Sequence, residues 1–248
     1  MKYTVSSLII ALVLLLEIPL LAASKGTVFV TGANRGMGFE YAKQYKAKGY
    51  TVIATARKPE TAEKLNALGV RVIQLDVTDP ESVASMAQAV GDTPIDILIN
   101  NAGYFDRADV TLDKIDFDTF ARTMNINTMG PLRVTQALID NVLSSNEKKV
   151  INMSSGLGSI SNSNGRWYAY RSSKTALNQI NKILSEEYKT KGAIFAVVHP
   201  GWVRTDMGGV NATYSPQESI SSLINEIAKL TAKDSGRFFD LKGREIDW

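Results

Sequence analysis

Eight residues near the start of the chain, Thr31-Gly32-Ala33-Asn34-Arg35-Gly36-Met37-Gly38, constrain its fold more than any other stretch. They follow a short apolar run, Thr27-Val28-Phe29-Val30, and precede a segment from Phe39 to Lys48 that reads as a helix. A strand, a glycine-rich turn and a helix, in that order, form the setting in which such a turn binds phosphate. Gly32 supplies the positive φ of a tight turn. Gly36 lets the backbone approach a pyrophosphate, and Gly38 lets the helix pack close to the strand. The free N–H groups of the first helical turn then face the anion, with the helix dipole in their favour.

The same alternation continues along the chain. Strand-like runs follow at Tyr50 to Ala56, Val70 to Leu75, Ile95 to Ile99, Lys149 to Met153, Ala193 to His199 and Arg237 to Asp240. Helical stretches separate them at Pro59 to Ala67, Asp79 to Val90, Asp116 to Leu143 and Trp167 to Lys189. A glycine-containing loop from Gly208 to Tyr214 leads into a last helix ending near Leu230. Strands alternating with helices predict an α/β fold, a doubly wound parallel sheet of the Rossmann type with about seven strands and helices on both faces. Ligands of such a sheet bind beyond the carboxyl ends of its strands. The 248 residues, 44% of them hydrophobic, suit one large α/β domain or two small ones, and the continuous alternation is read as a single domain over residues 25–248.

Composition removes several functions. The net charge of +3 comes with no basic patch, so nucleic acid is not an expected partner. With no cysteine there is no disulfide, thiol nucleophile or Cys-based metal site, and a single histidine, His199, excludes a His-rich one. No metal is expected. Residues 1–24 stand apart: Lys2, an apolar run from Leu8 to Ala23 broken by Glu17 and Pro19, then small residues. They read as a signal peptide or a membrane anchor, or else as a surface extension. With a working leader the protein is secreted or membrane-associated, with membrane contact through residues 1–24 alone; otherwise it is cytoplasmic. Of two glycosylation sequons, Asn152 and Asn211, the first lies in an expected core strand and is not an acceptor.

Five residues are candidates for the chemistry. Tyr170 and Lys174 are four apart on a helix and share a face. By spacing alone this is also what a surface pair looks like. A nearby cation would lower the phenol's pKa and suit it to hand a proton to a carbonyl oxygen. Ser154 and Ser155 close a strand, where one hydroxyl can bond the same oxygen. Asn127 sits inside the long helix, where an amide either is simply satisfied or bends the helix and holds a water.

These motifs together resemble the short-chain dehydrogenase/reductase family, which carries T-G-x-x-x-G-x-G, N-N-A-G, Asn with x-x-G, Ser, Y-x-x-x-K and P-G in that order. Here they are Gly32/Gly36/Gly38, Asn100 to Gly103, Asn127 with Gly130, Ser155, Tyr170 with Lys174, and Pro200-Gly201 with Thr205. Ser155 fits the family's S-x-x-G better than Ser154, although its gap to Tyr170 is longer than usual. Ala169-Tyr170-Arg171, the run from His199 to Gly209 and the tail from Gly236 to Trp248 look like the C-factor and sniffer-type carbonyl reductase branch, which also includes a developmental signalling protein. The resemblance implies an Asn-Ser-Tyr-Lys tetrad. Tyr170 is then the acid in reduction and the base in oxidation, and Ser155 polarises the carbonyl. Lys174 lowers the pKa of Tyr170 and bonds the nicotinamide ribose, and Asn127 anchors a water.

Cofactor choice follows from charge. The second strand ends in Ala56-Arg57, with no acid to bond a ribose 2′-hydroxyl. Arg57 and Arg35 suit a 2′-phosphate, which points to NADP(H) unless both arginines are merely solvated. By family analogy the cofactor meets Gly32, Asn34, Arg35, Gly36, Met37 and Gly38, then Arg57, then Asp76 and Val77 at the adenine. It also meets Asn101, Ala102 and Gly103, Tyr170 and Lys174, and Pro200, Gly201, Val203 and Thr205. The expected activity is NADPH-dependent reduction of small carbonyl compounds (aldehydes, ketones, quinones), with oxidative alcohol or steroid dehydrogenation and C-factor-like signalling as alternatives. Family members often pair through the long helices, so a dimer or tetramer is expected.

Overall fold

The computed structural model describes residues 24–108 and 111–248. The leader expected over residues 1–24 lies outside the described residues except for Ser24, whose hydroxyl accepts a hydrogen bond from the Thr51 N–H at 3.1 Å.

The strands are β1 (Thr27–Val30), β2 (Thr51–Ala56), β3 (Arg71–Gln74), β4 (Ile97–Asn100), β5 (Lys149–Met153), β6 (Ile194–His199) and β7 (Arg237–Asp240). They form one seven-stranded sheet in the order β3-β2-β1-β4-β5-β6-β7, parallel throughout. This is the doubly wound arrangement expected from the sequence. Its order reverses between β1 and β4, and that is where a crevice opens at the carboxyl ends. Around it lie α1 (Gly36–Ala47), the single-turn α2 (Glu63–Asn66), α3 (Pro80–Val90), α4 (Phe117–Met124), α5 (Gly130–Leu143), α6 (Tyr168–Glu187) and α7 (Pro216–Lys229).

Pleating divides the strand side chains between two cores. Val28, Val30, Ile97 and Ile99 point to one face, against Tyr41 and Tyr45 of α1 and Ile220, Leu223 and Ile227 of α7. Phe29, Leu98, Val150 and Phe195 point to the other, against Val83 and Met86 of α3 and Val134, Leu138 and Val142 of α5. Both faces are therefore covered, which is why these strands read as unbroken apolar runs. Helix starts follow their capping residues: Asp79 accepts from the Glu81 N–H at the head of α3, and Ser215 and Glu218 form a capping box on α7.

Three elements differ from expectation. The helix expected over Pro59 to Ala67 is a single 3₁₀ turn and α2, broken at Ala62 (φ −91°, ψ 52°). Helix α1 begins at Gly36, not Phe39, because the end of the glycine turn is already its first turn. The long helix from Asp116 to Leu143 is two helices joined without interruption by a wide π-type turn, Asn125–Met129, closed by the Gly130 N–H on the Asn125 carbonyl. Such turns concentrate at functional sites.

A chain of buried amides locks β4, β5 and α6 together behind the crevice. Asn100 Nδ2 donates to Asn152 Oδ1 at 2.9 Å and to Thr135 Oγ1 at 3.0 Å. Asn152 Nδ2 donates in turn to Asn181 Oδ1 at 2.9 Å. The side chain of Asn152 is 2% exposed, out of reach of any glycosylating enzyme in the folded chain, whereas Asn211 is exposed. Replacing Asn152 by Leu leaves a donor of Asn100 and the acceptor of Asn181 buried without partners. The expected loss of stability is roughly 2–4 kcal/mol, seen as a lower urea midpoint at unchanged m-value. A loss within error would show that the amides do not bear on stability.

Candidate active site

The expected catalytic and cofactor-binding residues gather on the side of the sheet where its strands have their carboxyl ends. The turn after β1 carries Gly32, Asn34, Arg35, Gly36, Met37 and Gly38. Gly32 and Gly36 have φ of 63° and 56°, the left-handed region. A Cβ on Gly38 would stand 2.3 Å from the Gly32 carbonyl and 2.6 Å from Asn101 Nδ2, so only glycine allows α1 to lie this close. Thr31 Oγ1 accepts from the N–H groups of both Asn101 and Ala102 at 2.9 Å, and Asn101 Nδ2 returns bonds to the Thr31 and Gly32 carbonyls. The glycine turn and the Asn101-Ala102-Gly103 segment after β4 are thereby one rigid unit. Helix α1 starts on Arg35 with no side-chain cap and no acid in its first turn, leaving its leading N–H groups for an anion.

On the β2–β3 side, Arg57 is exposed. Burial works to raise the carboxyl pKa of Asp76, but bonds from the Thr78 hydroxyl and N–H, with the charge of Arg57, outweigh it and hold it below the usual value. Val77 is buried under the π turn, where a Cβ on Gly130 would meet its side chain at 2.8 Å. Pro200, Gly201, Val203 and Thr205 follow β6; Thr205 faces Gly36 across the crevice, its Cγ2 3.5 Å from where a Cβ would stand. Arg35 crosses the same gap to Asp206, 3.1 Å away, in an exposed ion pair of little energetic weight.

The structure brings Asn127, Ser155, Tyr170 and Lys174 to one corner of this crevice. Ser155 Oγ accepts from the Leu157 N–H at 3.2 Å and is hydrogen-bonded to the Tyr170 phenol. Ser154 turns the other way and donates to Asn178 Oδ1 inside the protein at 2.7 Å. Lys174 is buried, its Nζ donating to the Met153 carbonyl at 2.8 Å and lying 5.7 Å from the centre of the Tyr170 ring.

Here the structure corrects the expectation that Lys174 depresses the Tyr170 pKa. Burial pushes the phenol up to about 12, opposed only by the Ser155 bond, and burial pulls Lys174 down to about 8. The ammonium points at a main-chain carbonyl beside the ring, and among the described residues no charge compensates the cost of desolvating either group.

Asn127 is wholly buried, and its side chain clamps the segment after β4: Oδ1 accepts from the Tyr104 N–H at 2.7 Å and Nδ2 donates to the Tyr104 carbonyl at 2.8 Å. Nδ2 also donates to Ser173 Oγ on α6 at 3.0 Å. One lone pair of Oδ1 is left. That oxygen and Lys174 Nζ converge on Gly103, 3.5 and 3.8 Å from where its Cβ would be.

Some site residues escaped sequence reasoning. Thr31 and Ser173 act through bonds whose partners are distant in sequence. Phe105 lies against Tyr170, ring centres 4.6 Å apart, and Trp167 meets Phe105 edge-on at 5.7 Å. The one signal was an aromatic pair, Tyr104-Phe105, directly after N-N-A-G. Arg166 and Trp167 hold φ of 65° and 57°, each costing roughly 1–2 kcal/mol for a residue with a side chain.

Comparison with known proteins bears on this geometry. The family model described as short chain dehydrogenase matches residues 26–214. The C-signal protein of Myxococcus xanthus is 40% identical over 156 residues, covering 62% of this chain and 93% of its own. The NADPH-bound carbonyl reductase from chicken fatty liver superposes with a TM-score of 0.84 at 31% identity, over 91% of this chain and 100% of that one. The carbonyl reductase Sniffer of D. melanogaster gives 0.83 at 29% identity, over 90% and 99%.

The uncompensated burial of Lys174 has a measurable cost. Its folded pKa of about 8 lies below the ordinary lysine value, so at neutral pH the folded state holds a penalised charge. The penalty fades as pH rises from about 8 to about 10.5, because there the unfolded chain binds the extra proton. Lys174→Met is therefore expected to stabilise the protein by roughly 2 kcal/mol at neutral pH, with the gain shrinking as pH rises through that window. Paired thermal melts across pH check it; a gain that does not vary with pH would contradict the assignment.

Proposed function

The chain belongs to the short-chain dehydrogenase family, and from that premise we propose that it is an NADPH-dependent reductase of aldehydes, ketones and quinones. The observation that carries this is the Tyr170 phenol, hydrogen-bonded to Ser155 and close to buried Lys174, at the end of the sheet that also carries the glycine turn and the uncapped start of α1.

The residues present fit the cofactor. The uncapped start of α1 and the left-handed turn at Gly36 suit a pyrophosphate, and the exposed Arg35 and Arg57 suit a 2′-phosphate. Bound NADPH supplies the hydride. Ser155 and Tyr170 then grip the carbonyl oxygen from two sides, and Tyr170 gives that oxygen its proton as negative charge builds there. Lys174 keeps two N–H donors beyond its bond to Met153, enough for ribose hydroxyls. A water between the free lone pair of Asn127 Oδ1 and Lys174 Nζ would return a proton to Tyr170. Burial keeps the phenol in its protonated form at neutral pH, the form that donates a proton in reduction.

The likeness to C-signal supports a second reading, a signalling protein that retains the fold. A pure binding protein has no need of four converging catalytic side chains, so turnover is the stronger proposal. The exposed Phe117, Met129 and Ile183 support assembly into a dimer or tetramer through α4 and α6.

NADPH consumption with a panel of carbonyl compounds tests the proposal. Tyr170→Phe is expected to lower turnover by about 10²–10⁴-fold while NADPH still binds. Tight NADPH binding without turnover of any carbonyl would favour the signalling reading. Arg57→Asp is expected to weaken NADPH by about 10- to 100-fold relative to NADH, as a lost charge-assisted contact would. An unchanged preference would remove Arg57 from cofactor selection.

A further inference from the structure

We infer that Phe105 and Trp167 form an aromatic wall beside the reacting carbonyl and make the enzyme select planar, conjugated carbonyl compounds over saturated ones of the same size. The inference rests on the reductase reading above and adds the substrate class and the two residues that set it.

Phe105 lies at the right place. Its ring is tilted 50° to that of Tyr170, with centres 4.6 Å apart. A carbonyl bonded to Tyr170 and Ser155 therefore has the Phe105 ring as its neighbour. The position is set with care: the Asn127 amide holds both the N–H and the carbonyl of Tyr104, the preceding residue. Trp167 stands edge-on to Phe105, interplanar angle 80°, and fixes its far side. The Arg166 guanidinium packs over the Trp167 ring at 5.5 Å.

Neither ring is spent on folding. Phe105 and Trp167 belong to neither core cluster and both remain partly exposed. Trp167 meets Phe105 from a left-handed backbone conformation that Arg166 shares. A bulky residue there is a rare outlier, and such strain persists where function requires the geometry. Aromatic surfaces favour flat π-systems through offset or edge-on contacts that a saturated ring cannot reproduce.

Benzaldehyde and cyclohexanecarbaldehyde make a matched pair, with 2-naphthaldehyde as a larger plane. Conjugation itself changes carbonyl reactivity and so moves kcat; the wall is read in KM. The wild-type enzyme with NADPH is expected to show the lowest KM for the naphthaldehyde and the highest for the cyclohexyl compound. Phe105→Leu, which keeps the site apolar, is expected to raise KM for both aromatic aldehydes about three- to ten-fold and leave the cyclohexyl KM within about two-fold. Phe105→Tyr restores the ring and the preference, which separates loss of the wall from a damaged fold. Trp167→Leu is expected to act in the same direction. Equal KM values for the matched pair, or a Phe105→Leu variant that shifts both alike, would overturn the inference while leaving the reductase intact. No turnover of any aldehyde, ketone or quinone would overturn the reductase and the wall together.

Discussion

The arrangement of the crevice depends on one side-chain amide. Asn127 is buried in the π turn between α4 and α5, and it bonds the main chain of Tyr104 through both its oxygen and its nitrogen. The same nitrogen reaches Ser173 on α6, between the positions that carry Tyr170 and Lys174. Three elements from separate parts of the chain thus share one group. An amide can do this because it offers both donors and acceptors in a plane, matching a peptide unit facing it. The wide turn is what places it there: one extra residue per turn moves the side chain inward and frees it from the helix surface.

Charge in the site is organised by dehydration more than by pairing. Lys174 is buried among neutral groups and its ammonium rests on a carbonyl dipole, while the phenol beside it is pushed the opposite way by the same burial. The two shifts move the groups apart and invert their ordinary order: Lys174 becomes a weaker base, at about 8, and Tyr170 a weaker acid, at about 12. A polyanionic ligand entering this corner would change that balance, because the charge it brings favours the ammonium form. An anion bound beside Lys174 would therefore offset part of the cost of burying it, coupling affinity to stability through one side chain.

Much of this was legible in the sequence. The apolar runs from Val28 to Val30 and Ile97 to Ile99 are buried on both faces, so they carry no alternation and mark a parallel sheet without ambiguity. The glycines at 32, 36 and 38 are dictated by backbone sterics, a local constraint that sequence displays directly. The Tyr170–Lys174 spacing fixed a shared helix face but not where the ammonium points. That direction depends on the Met153 carbonyl, a partner set by strand β5 and visible only in three dimensions. The π turn was hidden for the same reason, since its cause is the fit of Asn127 to Tyr104 and of Gly130 to Val77, and none of these residues is unusual for a helix on its own.

Trp167 shows how a local rule fails informatively. Propensity places it inside the helix that begins at Tyr168, yet it and Arg166 sit before that helix in left-handed backbone that their side chains disfavour. Gly165 just ahead, also at positive φ, turns the chain at no such cost, so the turn alone does not explain why two bulky residues follow it. What they gain is contact: the guanidinium on the indole and the indole edge on Phe105. Edge-on aromatic and cation–π contacts are each worth about 0.5–1.5 kcal/mol, comparable to the backbone cost they offset. The balance is close to neutral for stability, so folding alone gives little reason to keep this geometry, and its position one turn ahead of Tyr170 is where a substrate would feel it.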